Sequence, residues 1–176
     1  MNAVVIYKSK YGATKTYAAW IGEELGCPVF DAKNITIEDA TKYDTIIYGG
    51  GLYANMINGI SFINKNFEKL SDKKVVVFST AITPLDCREY YDKLVMERSF
   101  PEEIRGKVKV FNFLGKMLSS ELSLIHKAAL KTLKKIMAGK KEPTEMEKLL
   151  IKLCDADGDF SDKAQINDLI NYVIRE

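Results

Sequence analysis

The sequence is poor in the residues that build metal centres and disulfide frameworks. Its 176 residues include three cysteines and a single histidine. Cys27, Cys87 and Cys154 lie far apart and form no Cys-x-x-Cys pair, which argues against a zinc site, an iron–sulfur site and a disulfide framework. Because such sparse cysteine suits a reducing compartment, we expect a cytoplasmic protein without a structural metal.

Long apolar runs and a strong excess of one charge are also missing. No apolar stretch approaches the roughly 20 residues needed to span a bilayer, and the N-terminus enters a strand-like run without a basic region or cleavage site. We therefore expect a protein that is neither secreted nor integral to a membrane. The formal net charge is only +2, and the basic part of the chain has no interleaved aromatic residues, which argues against nucleic-acid binding.

Strand-like and helix-like patterns alternate along a chain of single-domain size. Five apolar runs predict β-strands, with helices between them. Such an alternation implies a parallel sheet with right-handed crossovers and helices on both faces, in one α/β domain over residues 1–176. The predicted strands are Ala3–Tyr7, Pro28–Asp31, Thr45–Tyr48, Lys74–Ser79 and Lys107–Leu114, and the predicted helices are Lys15–Leu25, Ile60–Leu70 and Leu85–Glu97.

The turn after the first strand reads Ser9-Lys10-Tyr11-Gly12-Ala13-Thr14 and leads directly into a helical pattern. A buried strand that feeds such a turn aims the free N–H groups of the next helix at one point, where the helix dipole adds positive potential. A phosphate monoester would fit there. Because the spacing matches neither a Walker loop nor the dinucleotide fingerprint, nucleoside triphosphates are weaker candidates. The alternative is a polar turn that only caps a helix.

Two further loops follow the third and fourth predicted strands, at the same edge of the sheet. In the first, Gly49-Gly50-Gly51-Leu52-Tyr53-Ala54-Asn55, the glycines let a flat ring approach the backbone and the tyrosine can lie against it. The second, Ser79-Thr80-Ala81-Ile82-Thr83, offers small residues and backbone amides to the polar edge of such a ring. We expect the three loops to form one pocket, with Tyr90 and Tyr91 as candidates for a second aromatic wall. A flexible turn and a half-buried surface tyrosine are the plainer alternatives.

The first loop resembles the flavodoxin phosphate loop, Ser/Thr-x-Thr-Gly-x-Thr, which wraps the phosphate of FMN. Tyr11 stands where that family usually has threonine, so only its backbone N–H carries over. With the other two loops, residues 2–114 and the last helix resemble the flavodoxin superfamily. The glycine-rich loop, the first loop and the long segment before the last helix are most similar to the flavodoxin-domain group that includes menaquinone-dependent protoporphyrinogen IX dehydrogenase.

The resemblance implies a flavodoxin-like three-layer sandwich with strand order 2-1-3-4-5 and a bound FMN. Since a flavin supplies its own redox chemistry, no catalytic side chain and no metal are expected. The implied function is electron transfer, in its most specific form the oxidation of protoporphyrinogen IX with a quinone acceptor. The alternatives are an electron shuttle that serves a redox partner protein and has no substrate of its own, and a non-redox binding module. The implied FMN contacts are Ser9, Lys10, Tyr11, Gly12, Ala13, Thr14, Gly50, Gly51, Leu52, Tyr53, Ala54, Ser79, Thr80, Ala81, Ile82 and Thr83.

A basic helical insertion, residues 115–158, separates the fifth strand from the last helix. Between Gly115 and Lys141 it has seven lysines against one acid, Glu121. Apolar residues recur at steps of three and four, which predicts a basic amphipathic helix over 116–141. Such a helix can lie on the inner face of an anionic membrane, dock an acidic partner or cover a carboxylate-bearing substrate. The plainer alternative is that it packs on its own domain. The apolar stripe comprises Leu118, Leu122, Ile125, Ala129, Leu133, Ile136 and Met137.

His126 lies at the edge of this stripe. It could move a proton during a two-electron oxidation, but no second ionisable partner is nearby in sequence, so a boundary position is the preferred interpretation. The acidic run 155–159 lacks the glycine and glutamate that a calcium loop needs. Asp162 and Gln165 have the spacing of a capping box and predict the start of the last helix.

Overall fold

A five-stranded parallel sheet forms the centre of the computed structural model, which describes residues 1–175. Its strands lie in the order β2-β1-β3-β5-β6, and a short β4 pairs antiparallel with the end of β3. Apart from the number taken by β4, this is the predicted strand order, so the α/β fold class is confirmed. Glu176, the last residue of the predicted domain, lies outside the described residues. The strands are β1 (Ala3–Lys8), β2 (Val29–Asp31), β3 (Thr45–Tyr53), β4 (Met56–Ile57), β5 (Lys74–Ala81) and β6 (Lys109–Leu114).

Both faces of the sheet are buried, which explains the continuous apolar sequences of its strands. Successive residues of a strand point to opposite faces. Val4 and Ile6 of β1 therefore belong to one core, which also includes Phe100. Val5 belongs to the other core, together with Tyr17 from the first helix. These two cores hold helices on both sides of the sheet, as a three-layer arrangement requires.

The first helix, α1 (Ala13–Leu25), agrees with prediction and ends at Gly26, whose left-handed φ of 60° forms the expected C-cap. The predicted helix Leu85–Glu97 is confirmed in its main part as a continuous helical run over 88–99 with a π-helical centre, whereas the predicted helix Ile60–Leu70 is broken into short turns. Within this broken segment, the Asn66 side chain donates to the carbonyl of Phe62 and competes with helix continuation. The short helical segments are α2 (Ile37–Ala40), α3 (Ser61–Asn64), a 3-10 turn (Phe67–Leu70), a π-helical segment (Tyr90–Val95), α4 (Met96–Ser99) and α5 (Glu102–Arg105).

The strand β3 continues through the three glycines to Tyr53, so the prediction that it ends at Tyr48 is wrong. The glycines fit the sheet because neighbouring atoms already fill the space of a side chain. A Cβ placed at Gly49 would lie 2.0 Å from Cζ of Phe78, and one at Gly50 would lie 2.5 Å from the carbonyl oxygen of the hairpin residue Asn58. These two glycines permit close packing rather than a flexible turn.

The insertion contains two helices and a pair of short strands. At its base β7 (Lys116–Met117) pairs antiparallel with β8 (Gly158–Asp159). The helix α6 (Leu124–Ala138) begins later than predicted because Ser123 caps it, accepting a hydrogen bond from the His126 N–H. It packs against α7 (Glu145–Leu153). Within residues 1–175, no helix combines the length and apolarity needed to cross a membrane.

The last helix, α8 (Asn167–Ile174), follows a 3-10 turn (Lys163–Ile166) rather than the predicted capping box. Asp162 accepts a hydrogen bond from the Ala164 N–H at 2.9 Å. Gln165 does not reach back to Asp162, because its Oε1 accepts from the N–H of Leu114 at 2.7 Å. Gln165 thereby ties the C-terminal segment to the end of β6.

Candidate functional site

The ends of β1, β3 and β5 meet at one edge of the sheet. Lys8 pairs with Gly50, while Gly50 and Gly51 pair with Ser79 and Thr80. The three predicted loops therefore start side by side at the carboxyl ends of parallel strands. Ligands of open α/β sheets bind at this edge.

The first loop ends at the N-terminus of α1, for which no described side chain provides a cap. Gly12 occupies the N-cap position with a φ of 94°, a conformation that favours glycine. Its N–H donates to Ser9 Oγ at 3.1 Å, which closes the turn. Ala13 and Thr14 follow as buried residues of the first helical turn. The loop thus presents the positive end of a thirteen-residue helix, as the sequence predicted.

A hydroxyl pair joins the first loop to the third. Thr14 Oγ1 and Thr80 Oγ1 lie 2.8 Å apart, and the two residues are only 3% and 6% exposed. Gly51 of the second loop faces the same point, since a Cβ placed there would lie 3.6 Å from Thr14 Oγ1. Hydroxyls that can donate or accept, beside a helix N-terminus, are a suitable donor set for a phosphate monoester.

The second loop is a tight hairpin. Tyr53 pairs with Met56, and the two residues between them, Ala54 and Asn55, have φ values of 49° and 64°, as in turns that match the twist of a hairpin. The Tyr53 ring folds back over Gly51, where a Cβ would lie 3.2 Å from ring Cε2. Burial raises the pKa of Tyr53 to about 12, so its phenol is protonated at neutral pH.

Several predicted contact residues are packed into the protein around the site. Ser79 is fully buried and donates to Asn112 Oδ1 at 2.7 Å. Leu52 packs against one core, and Gly50 touches the returning strand of the hairpin. These residues support the loops from within. The half-buried members of the third loop are Ala81 and Ile82.

Tyr90 and Tyr91 hold the second and third loops from beneath. The Tyr91 hydroxyl donates to the Thr83 carbonyl at 2.6 Å, and the Tyr90 hydroxyl donates to Asn55 Oδ1 at 3.1 Å. Both rings are buried, so the structure does not show them as the second aromatic wall that the sequence suggested. Their hydroxyls instead hold the Asn55 side chain of the second loop and the Thr83 backbone of the third.

His126 is half-buried, as a boundary position implies, but it also reaches the first loop. Its Nδ1 lies 2.7 Å from the Tyr11 hydroxyl and its Nε2 lies 3.3 Å from Lys10 Nζ. Its ring also packs beside Tyr53, with 5.4 Å between ring centroids. Sequence reasoning missed this role because the partners lie 115 and 116 positions earlier in the chain.

Tyr11, the departure from the flavodoxin pattern, connects the first loop to the insertion. The Ser123 N–H donates to its hydroxyl at 3.3 Å. Burial raises the pKa of Tyr11, but the hydrogen bonds with Ser123 and the charge of Lys10 outweigh burial and leave the pKa below its usual value. The tyrosine therefore reaches outward to α6, where a threonine side chain would be too short.

The insertion also brings a cation to the first loop. A Cβ placed at Gly12 would lie 3.4 Å from Cε and 3.5 Å from Nζ of Lys116. The Lys116 side chain is 19% exposed, and its ammonium pairs with Glu121 at 3.0 Å. Together with the exposed Lys10, it gives the loop a positive surface that suits a phosphate.

The residues fit the two ends of FMN. Hydroxyls, a helix N-terminus and cations suit a phosphate at one end of the site, and the aromatic ring of Tyr53 lies over Gly51 beside them. Among the described residues, no three His, Cys, Asp or Glu side chains come together as metal ligands.

Comparison with known proteins identifies the family. The family model described as flavodoxin domain matches residues 4–144. An uncharacterized protein of Methanocaldococcus jannaschii is 29% identical over 120 residues, which cover 65% of this chain and 72% of that protein. The flavodoxin, WrbA-like protein from Agrobacterium tumefaciens superimposes with a TM-score of 0.44 at 20% identity, covering 70% of this chain and 85% of that one. A flavodoxin from the domain Archaea gives a TM-score of 0.40 at 16% identity, with 88% and 97% covered. Because the family model spans well over half of its residues, the chain belongs to the flavodoxin domain family.

Proposed function

We propose that the protein binds FMN at this site and transfers electrons. The observation that carries the proposal is the buried hydroxyl pair of Thr14 and Thr80 beside the N-terminus of α1. The first loop would hold the phosphate through backbone N–H groups and hydroxyls. The hairpin at Tyr53 and the third loop would orient the ring. Bound FMN would supply one- and two-electron chemistry, which protein side chains do not provide.

The finer proposal concerns the substrate. The resemblance favours oxidation of protoporphyrinogen IX with a quinone acceptor, and a shuttle between redox partner proteins is the alternative. Support for a substrate comes from the insertion, which covers the first loop through His126 and places Lys116 near it, beside Lys10 of the loop itself. Such lysines suit a ligand that bears carboxylates.

An absorption spectrum of the purified protein, taken with and without added FMN, tests the proposal. We expect stoichiometric binding, seen as a shift and sharpening of the flavin bands. Anaerobic addition of protoporphyrinogen IX should then bleach the bound flavin. Bleaching only by a reductase or ferredoxin would contradict the substrate and support the shuttle. A protein that leaves the FMN spectrum unchanged at saturating concentration would contradict flavin binding altogether.

A second proposal concerns the outer face of α6. Ile125, Leu133 and Ile136 are 80%, 43% and 60% exposed, so this part of the predicted stripe does not pack on the domain, whereas Met137 is buried. The same helix carries the exposed lysines 127, 131 and 135. We propose that this face makes a peripheral contact with an anionic membrane surface.

Replacing Lys127, Lys131 and Lys135 together by Glu should abolish sedimentation with vesicles that contain anionic lipid. Each lysine near such a surface contributes about 1 kcal/mol, so removing three should weaken binding by roughly 100-fold or more. Lys134 is left unchanged because it pairs with Asp155. The FMN affinity should stay within about threefold, because charges on this face are screened from the site.

The matched control reverses three exposed lysines elsewhere, Lys65, Lys93 and Lys107, which like the three α6 lysines form no ion pair within residues 1–175. It makes the same change in net charge and should lower vesicle binding far less. Equal losses in the two triple variants would mean that net charge, and not the α6 face, drives the association. Undiminished binding of the α6 variant would contradict the membrane proposal.

A further inference from the structure

We infer that Lys116 makes the site select a phosphorylated flavin over the same flavin without its phosphate. The inference rests on the proposed function and adds a residue from outside the three loops. Lys116 belongs to the insertion, whose proposed role so far is contact with substrate or membrane. Its side chain turns inward instead and lies against the N-cap of α1.

The position of Lys116 is fixed by the backbone. Lys116 pairs with Asp159 and Met117 pairs with Gly158 in the β7–β8 ladder. The preceding Gly115 lies against the site, since a Cβ there would be 3.4 Å from the Cβ atoms of both Ala13 and Thr80. The Lys116 side chain is itself 19% exposed and paired with Glu121, so it loses little further freedom when it contacts an anion.

The contact with Gly12 places the Lys116 ammonium next to the proposed phosphate site. The Lys116 Nζ is 3.5 Å from the Cβ position of Gly12. Gly12 is the N-cap of α1, and the free N–H groups of the first helical turn follow it. A Cβ at this N-cap would be in van der Waals contact with the lysine side chain, and a φ of 94° would strain any residue other than glycine. Glycine therefore leaves the lysine and the helix N-terminus open to the same ligand.

Acidic groups around Lys116 set the size of the effect. Its ammonium is 3.0 Å from the Glu121 carboxylate. Hydrogen bonds from Ser161 and, more weakly, the charge of Lys116 lower the pKa of Asp159, so that carboxylate is also ionised at neutral pH. Glu121 holds the lysine in place but competes with a phosphate for its charge. A phosphate dianion beside a largely buried lysine should still prevail, because charge-assisted hydrogen bonds strengthen with the charge of the acceptor.

The test compares the affinities for FMN and riboflavin, measured by quenching of flavin fluorescence. In Lys116→Met the Kd of FMN should rise about 10- to 100-fold, the range expected for one lost hydrogen bond to a charged group, while the Kd of riboflavin changes less than about threefold. Lys116→Arg should retain most of the FMN preference. The control, Lys148→Met, removes another lysine of the insertion that is paired with a glutamate, and should leave both constants unchanged.

A second variant should strengthen the interaction of the same lysine with the phosphate. Glu121→Gln removes the competing carboxylate and should tighten FMN binding about three- to tenfold, with riboflavin unaffected. Loss of riboflavin binding would reveal that Lys116→Met does not fold. In that case Glu121→Gln alone tests the role of Lys116.

The outcomes separate this inference from the proposed function. An unchanged ratio of FMN to riboflavin affinity in Lys116→Met and Glu121→Gln, with FMN still bound, would overturn the role of Lys116 alone. If the native protein binds neither flavin, both the proposed function and this inference fail.

Discussion

Replacing Thr14 by Glu should weaken FMN binding by more than about 100-fold. Thr14 is 3% exposed, and its hydroxyl lies at the meeting point of the three loops. A carboxylate there would stand within a few ångströms of the cofactor phosphate. At an effective dielectric constant of about 20, two unit charges separated by about 5 Å repel by roughly 3 kcal/mol, and the phosphate carries more than one charge.

The fold should tolerate this change better than its burial suggests. An acidic side chain in the first turn of a helix is favoured by the helix dipole, which offsets part of the cost of burial. Circular dichroism and urea unfolding of Thr14→Glu will report whether the native structure persists. Thr14→Val provides a milder variant of the same shape, which lacks the hydroxyl and should weaken FMN binding about tenfold.

The matched control is Thr16→Glu, which places the same charge two residues further along α1 on an exposed side chain. Its effect on the FMN Kd at physiological salt should stay below about threefold, because exposed charges are screened. If Thr14→Glu folds and binds FMN as tightly as the native protein, the first loop is not the phosphate site. Equal losses at both positions would instead indicate a general effect of charge near the helix.

The sheet and the first loop were predictable because their signals are local. A continuous apolar strand, a turn containing Gly12 and a helix that ends at Gly26 are each determined within a few residues of sequence. The strand order then follows from short right-handed crossovers. The three loops then start at one edge of the sheet, because β3 lies between β1 and β5 and all three strands run parallel. The hydrogen bond between Thr14 and Thr80 spans β3 and was not predicted.

What could not be predicted depends on contacts between distant segments. The approach of His126 to Tyr11 and of Lys116 to Gly12 depends on how the insertion folds back, and helical periodicity carries no information about that direction. The predicted helix over 116–141 starts too early because the apolar stripe continues upstream of the Ser123 cap, through Leu118 and Leu122. The extension of β3 also escaped prediction, since Gly49 reads as a turn residue until Phe78 is known to lie over it.

Gly49 leads to the second large effect, which concerns stability. Gly49→Ala should lower the free energy of unfolding by about 2–3 kcal/mol and Tm by roughly 5–10 °C, because added volume in a packed core forces neighbours out of position. The new Cβ would lie 2.0 Å from Cζ of Phe78 and 2.4 Å from its Cε1. Phe78 is fully buried and packs beside Phe113, with 5.5 Å between ring centroids, so its ring has little room to move.

Urea unfolding compares this variant with Gly106→Ala, the matched control. Gly106 has a φ of −82°, and no atom within 4 Å of a Cβ placed there, so alanine should change stability by less than about 0.5 kcal/mol or raise it slightly. The double variant Gly49→Ala/Phe78→Leu should lose less unfolding free energy than the two single variants lose together. The shorter Leu side chain removes the ring atoms that the new methyl group would contact. If Gly49→Ala unfolds like the native protein but loses FMN, then Gly49 serves the approach of the cofactor ring and the packing explanation is wrong.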